Sequence, residues 1–336
     1  MTQQQLHVTG IGNAIVDVLS AVDEDFIREE GLVKGAMELI DADRAIALSS
    51  KLRQTEQRSG GSAANTIAGL GALGCRAGYV GKVGKDLFGE VFARDLSATG
   101  VEFGTPPSEQ GTATARCIVL ITPDAQRTLC TYLGACIELG PEDVNREMIA
   151  RSQVTYLEGY LWDPPRAKEA FIVAAEHAHA AGGRVALSLS DSFCVQRHRD
   201  TFLSFVHGHV DVLFANESEL LGLYQTDDLN AAVRLAKEQV HIVAVTRGAE
   251  GCTVAWDGSV LDVPAEPAAS VVDTTGAGDL FAAGFLHGLT SQRNALDCAV
   301  LGGLAAAEVI GHFGARPVAN LKTLAASRLT GEPSPA

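Results

Sequence analysis

The sequence has no surplus of basic residues. Its 26 Lys and Arg stand against 41 Asp and Glu, a formal net charge of -15. Binding of nucleic acid needs a basic face, so this balance argues against that class of partner. A phosphate group can still be held locally, because a ring of backbone N–H groups binds anions inside an acidic protein. The seven cysteines (Cys75, Cys117, Cys130, Cys136, Cys194, Cys252 and Cys298) are odd in number, dispersed and free of any C-x-x-C pair. They are expected to pack as small hydrophobes in a reducing compartment. No apolar run is long enough for a bilayer, since the Ala- and Gly-rich stretch from Cys298 to Gly311 is short and carries Glu308. The first residues have neither a basic n-region nor an apolar core, so no secretory leader is expected and the location is expected to be cytoplasmic.

Several motifs are missing as well. There is no G-x-x-x-x-G-K-[ST], which excludes a Walker-type ATPase. Gly10-Ile-Gly12 lacks the third glycine of a dinucleotide fingerprint. The pairs His177/His179 and His207/His209 lack H-E-x-x-H spacing and read as surface or capping residues, not zinc ligands. No internal repeat is visible.

What the chain does have is length and glycine. Its 336 residues can bury a sizeable core, as two or three domains or one large α/β unit with an appendage, and its 35 glycines fall in clusters. Leu6–Val18 reads as strand, Gly turn and strand, and Met37–Ile40 as a short strand. Thr112–Thr122 and Arg127–Leu133 read as a hairpin turning at Pro123-Asp124. From Val154 onward, short apolar strands alternate with amphipathic helices. That alternation predicts a parallel sheet covered on both faces. The β-rich pieces near 12–41 and 108–135 do not fit it and predict a small second sheet projecting from the body. The tail Thr330–Ala336 is expected to be disordered.

Five segments carry chemistry. In Asp273-Thr-Thr-Gly-Ala-Gly-Asp279, an apolar strand-like stretch (Ser270–Val272) runs into glycines at a helix start. Unpaired N–H groups of Gly276, Ala277 and Gly278 there can meet the charge on a transferring phosphoryl group, and Asp279 can accept a hydroxyl proton. In Gly60-Gly-Ser-Ala-Ala-Asn65, Gly61 and Ser62 open a helix and Asn65 suits a vicinal diol. Asn13 and Asp17 are an even number of residues apart and face one side of a strand. Asn216 and Glu219 follow an apolar strand and can orient a hydrated Mg²⁺, Glu219 through water. Thr246, Arg247 and Gly248 end another strand and approach the nucleotide or make a turn. Each segment also fits an ordinary capped helix, turn or solvated strand.

Together the segments resemble the ribokinase (PfkB) family of carbohydrate and nucleoside kinases, over nearly the whole chain. Gly60–Glu90 is similar to the family's first motif and Asp273–Leu286 to its second, with Asn216-x-x-Glu219 between them. The resemblance implies an α/β fold: a three-layer α/β/α Rossmann-like body with a small β-sheet lid. It is expected as one kinase domain over 1–330, its lid drawn from 12–41 and 108–135, with a tail at 331–336. It also implies ATP and Mg²⁺, with Asp279 as general base and Gly276, Ala277 and Gly278 as the anion hole. Asn13, Asp17, Gly61, Ser62 and Asn65 are then the substrate-hydroxyl contacts. Thr246, Arg247, Gly248, Thr274 and Asn216 serve ATP, and Asp273 with Gly311–Gly314 is the candidate neighbour of K⁺.

Gly10-x-Gly-Asn-x-x-x-Asp17 and the Val22–Leu32 region resemble the adenosine kinases within this family. Arg127 stands where those enzymes carry a phosphate-contacting Arg, and Leu39, Leu133 and Tyr160 would enclose a purine. Gly159-Tyr-Leu-Trp162 departs from the aromatic segment of the eukaryotic enzymes. The expected activity is therefore transfer to a nucleoside 5′-hydroxyl, adenosine first. A sugar kinase of the same chemistry and a catalytically silent nucleoside or nucleotide sensor stand as alternatives. The chain is expected to act as a monomer or homodimer, without nucleic-acid or membrane partners.

Overall fold

In the structure, a computed structural model, residues 5–124 and 126–330 are described. Along the first half of the chain run β1 (Leu6–Ile11), β2 (Ile15–Ala21), β3 (Met37–Leu39), β4 (Glu56–Gly60), β5 (Ala77–Val80), β6 (Glu102–Phe103), β7 (Ala115–Ile121) and β8 (Arg127–Tyr132). The second half adds β9 (Ser152–Glu158), β10 (Arg184–Ser188), β11 (Val212–Asn216), β12 (Ile242–Thr246), β13 (Cys252–Trp256) and β14 (Ser259–Val263). They form a nine-stranded sheet in the order β14-β13-β12-β11-β10-β9-β1-β5-β6 and a five-stranded sheet in the order β3-β8-β7-β2-β4.

The large sheet is parallel from β12 to β6 and ends in an antiparallel β13–β14 hairpin. Successive side chains point to opposite faces, and the two cores divide accordingly. Phe214 and Ala244 join one core, packed on helices Ser62–Ala72, Ala277–Thr290 and Ala295–Val309. Leu213 and Val243 join the other, packed on helices Pro165–Ala180, Ser192–His209 and Glu217–Tyr224. This is the three-layer α/β/α architecture that the resemblance implies.

The small sheet buries its outer face under helices Glu24–Glu29 and Ala42–Lys51, through Ile27, Leu48, Ile118, Leu120 and Cys130. The inner-face residues Ile15, Asp17, Leu19, Cys117 and Val119 line an open cavity. β1, β5 and β6, from the first part of the chain, complete the body's sheet. Two expectations change. The small sheet also takes β4, from residues 56–60, outside both expected stretches. Ser270–Val272 forms no strand. All seven cysteines are free and buried, and no helix among the described residues is long and apolar enough to cross a membrane. The tail 331–336 lies outside the described residues.

Candidate active site

The carboxyl ends of β1, β9, β10, β11 and β12 open on one side of the large sheet, where ligands bind in such folds. The small sheet faces them across a cavity of about 1250 Å³. Gly276 opens the Ala277–Thr290 helix with φ 81°, a left-handed conformation, and a Cβ there would lie 2.7 Å from Ala315 Cβ. Only glycine fits. At Gly278 an added Cβ would meet nothing within 4 Å, because that face is cavity. The Ala277 N–H donates to Thr274 O at 3.2 Å, closing the turn. The N–H groups of Gly276 and Gly278 are therefore the better candidates for holding an anion, with Thr274 in the cavity wall.

Asp279 sits in the first turn of this helix and lines the cavity. Its carboxylate accepts Ser62 Oγ–H at 2.6 Å and Asn65 Nδ2–H at 3.0 Å. Burial pushes its carboxyl up to about 6, opposed by those two hydrogen bonds and by the charge of Arg316. It is ionised at neutral pH yet basic enough to take a proton. Asn65 Oδ1 is buried with no partner, a free acceptor for a ligand hydroxyl. Asp17 projects from β2 with its carboxylate against Gly60, where a Cβ would lie 2.5 Å from Oδ2. Burial raises it too, to about 6, with Arg316 and Arg127 acting downward and Asp279 upward. Gly61 caps the Ser62 helix with φ 96°, and a Cβ there would meet Asn13 O at 2.2 Å.

Glu158, absent from the sequence reading, lies beneath these residues. It accepts Asn13 Nδ2–H at 2.6 Å and Ala63 N–H at 2.7 Å, and burial pushes its carboxyl up to about 7. A carboxylate ending an apolar parallel strand was a signal for it. Arg316 had no local signal. It comes from an irregular segment after the Ala295–Val309 helix and reaches the site only through tertiary folding.

Asp273 is saturated. Its oxygens accept Thr275 N–H at 3.1 Å, Thr275 Oγ1–H at 2.7 Å and Gly314 N–H at 2.9 Å, and Arg127 Nη1 lies 2.8 Å away. Burial alone would raise this carboxyl, but those donors and the Arg127 charge hold it below its ordinary value. Arg127 Nη2 is buried without a partner and is free to meet a phosphate oxygen. The guanidinium stacks 5.3 Å from the Phe313 ring centre.

Asn216 and Glu219 line the cavity and also form a capping box. Glu219 N–H donates to Asn216 Oδ1 at 2.8 Å, and Glu219 accepts Asn216 N–H at 3.0 Å and Nδ2–H at 2.6 Å. Burial pushes Glu219 up to about 7. Both its oxygens are taken, so it fits a metal only through water. Among the described residues no group of three or more His, Cys, Asp or Glu forms a metal cage. Thr246 lines the cavity, whereas Arg247 and Gly248 stand outside its wall, Arg247 engaged with Glu250, Glu217 and Asp262. Leu39, Leu133 and Tyr160 all line the cavity, joined by Met37 and Phe193, which the sequence reading did not single out. Phe193 is 70% exposed, Leu39 60% and Tyr160 39%, so these apolar side chains stand open in the cavity lining.

The profile of the pfkB family carbohydrate kinase matches residues 33–322. The chain is similar to a solved adenosine kinase from Sinorhizobium meliloti, 50% identical, covering 96% of this chain and 99% of that one with a TM-score of 0.88. It is similar to a solved probable sugar kinase protein from Rhizobium etli, 45% identical over 98% and 99% of the two chains, TM-score 0.88. It also resembles the adenosine kinase of Saccharomyces cerevisiae, 30% identical over 84% of this chain and 88% of that protein.

Proposed function

The chain belongs to the pfkB family of carbohydrate kinases, phosphotransferases with an alcohol acceptor, and we propose that it is an ATP-dependent nucleoside kinase acting on the 5′-hydroxyl of adenosine. The observation that carries the acceptor is that Leu39, Leu133, Tyr160 and Phe193 put open apolar surface into the same cavity as Asp279. A free sugar has no group to cover that area, whereas a purine does. The relatives named adenosine kinase, two of the three above, support the same reading.

Asp17, Gly61 and Asn65 hold the ribose hydroxyls, with Asn13 and Ser62 behind them. The 5′-hydroxyl then lies at Asp279, which takes its proton as the oxygen bonds to the γ-phosphorus of ATP and ADP leaves. The N–H groups of Gly276 and Gly278, with Arg127 Nη2, stabilise the developing charge. Asn216 and Glu219 would hold Mg²⁺, Glu219 through water, and the ion would neutralise charge on the ATP phosphates. A K⁺ at Asp273 would require Arg127 to leave that carboxylate. We place the enzyme in the cytoplasm as a monomer or homodimer without nucleic-acid or membrane partners.

The test is a substrate panel. With ATP and Mg²⁺, adenosine should yield ADP and a 5′-monophosphate, located by ³¹P–¹H coupling, while ribose and fructose turn over poorly. Turnover of ribose or fructose without adenosine would make it a sugar kinase, and no turnover with any acceptor would favour the sensor.

A further inference from the structure

We propose that Arg316 is a positioning residue serving both carboxylates of the site: its guanidinium balances the charges of Asp17 and Asp279 and, through Ser59, ties β4 to the body. The proposal rests on the reading of Asp279 as the base.

The geometry converges on this residue from three elements. Arg316 Nη2 donates to Ser59 O at 3.1 Å and to Ser59 Oγ at 3.0 Å. Ser59 precedes Gly60, against which the Asp17 carboxylate is packed. Ala315, the preceding residue, is packed on Gly276, which opens the Asp279 helix. Arg316, Asp17 and Asp279 all line the cavity. Arg316 Nε is buried with no partner, so hydrogen bonding to Ser59 does not exhaust the group.

The titratable groups facing Arg316 are Asp17 on β2, Tyr79 on β5 (a neutral phenol), Asp95 on the Leu87–Ala98 helix and Asp279. Burial pushes Arg316 down to about 10, which leaves it cationic at neutral pH. Asp279 also feels Ser62 and Asn65, and Asp17 feels Arg127. Glu158 lies beneath, its own carboxyl raised by the Asp279 charge. Arg127 is held by Asp273 on the far side of the loop, so Arg316 is the cation whose influence reaches both acids. Without it, the Asp279 charge acting on Asp17 would go unbalanced and ionisation of both acids would be disfavoured.

The experiment is the pH profile of kcat/KM for wild type, Arg316→Gln and Arg316→Lys, with adenosine and MgATP. The wild-type acid limb is expected near pH 6. In the Gln variant it should move up by about one unit or more, the effect of removing a close opposite charge. In the Lys variant, which keeps the charge, it should stay near the wild-type position. A Gln limb that coincides with wild type, whatever the loss in rate, overturns the proposal, as does a Lys limb displaced as far as Gln. Should the Gln variant not fold, Arg316→Met, which also removes the charge, takes its place: a limb raised as expected for Gln supports the charge role, and a limb at the wild-type position contradicts it. Near-wild-type turnover in Asp279→Asn would instead overturn the base assignment, a separate failure.

Discussion

Asp279 occupies a position that costs stability and serves chemistry. Its carboxyl rises from an ordinary 3.8 to about 6 on folding, so the folded chain binds that proton more tightly than the unfolded one. The stabilisation is full below pH ~4 and is lost as pH rises through about 6, and Asp17 behaves in the same way. Asp279→Asn removes this penalty. The variant should melt a few degrees above wild type at pH 8 and at nearly the same temperature at pH 4, read by calorimetry at the two pH values. A variant that melts lower at pH 8 would mean that the Ser62 and Asn65 hydrogen bonds outweigh burial. This residue and its flanking glycines were legible in the sequence, because local chemistry at a helix start is encoded in consecutive residues. Arg316 was not, because nothing near it in sequence says which loop it meets.

At the scale of elements, the site helix Ala277–Thr290 is held in place by close contact with its neighbour Ala295–Val309. Gly284 is the point of approach: a Cβ there would lie 2.2 Å from Leu301 O and 2.8 Å from Gly302 Cα. Gly284→Ala must therefore push two helix backbones apart. It should lower stability by about 1–3 kcal/mol, the cost of overpacking, in urea unfolding, with turnover falling as Asp279 shifts. An unchanged midpoint would show that the helices separate freely. Helix and strand periodicity found most of the body, since β9 to β12 are short apolar runs with helices between them. It missed β4, Glu56–Gly60, whose first three residues are exposed and charged or polar. It also missed the β13–β14 hairpin, whose second strand is exposed over four of its five residues. Edge strands such as β4 and β14 carry little apolar alternation, and the partner of β4, β2, is also distant in sequence.

For the whole molecule, the small sheet and the body meet at the cavity, and the Arg127–Asp273 ion pair joins them across it. Both side chains are largely buried, 14% and 8% exposed, so the pair is well shielded from solvent. We expect the small sheet to close over substrate as a lid, with Arg127 passing its free Nη2 to a phosphate oxygen. Arg127→Gln should lower kcat by about tenfold or more, the loss of one transition-state donor. The adenosine KM should change little, as measured at saturating MgATP. A raised adenosine KM with unchanged kcat would place Arg127 on the nucleoside instead. The two-sheet plan was visible in the sequence as β-rich pieces that broke the alternation. Where those pieces dock was not, because closure depends on residues far apart in the chain.

Phosphoryl transfer at Asp279 is read out by the kcat of Asp279→Asn with adenosine and MgATP, alongside the adenosine Kd of the same variant. The kcat should fall by roughly 10²–10⁴, the usual worth of a general base, with Kd within a few-fold of wild type. A kcat near that of the wild type would remove Asp279 from the base role.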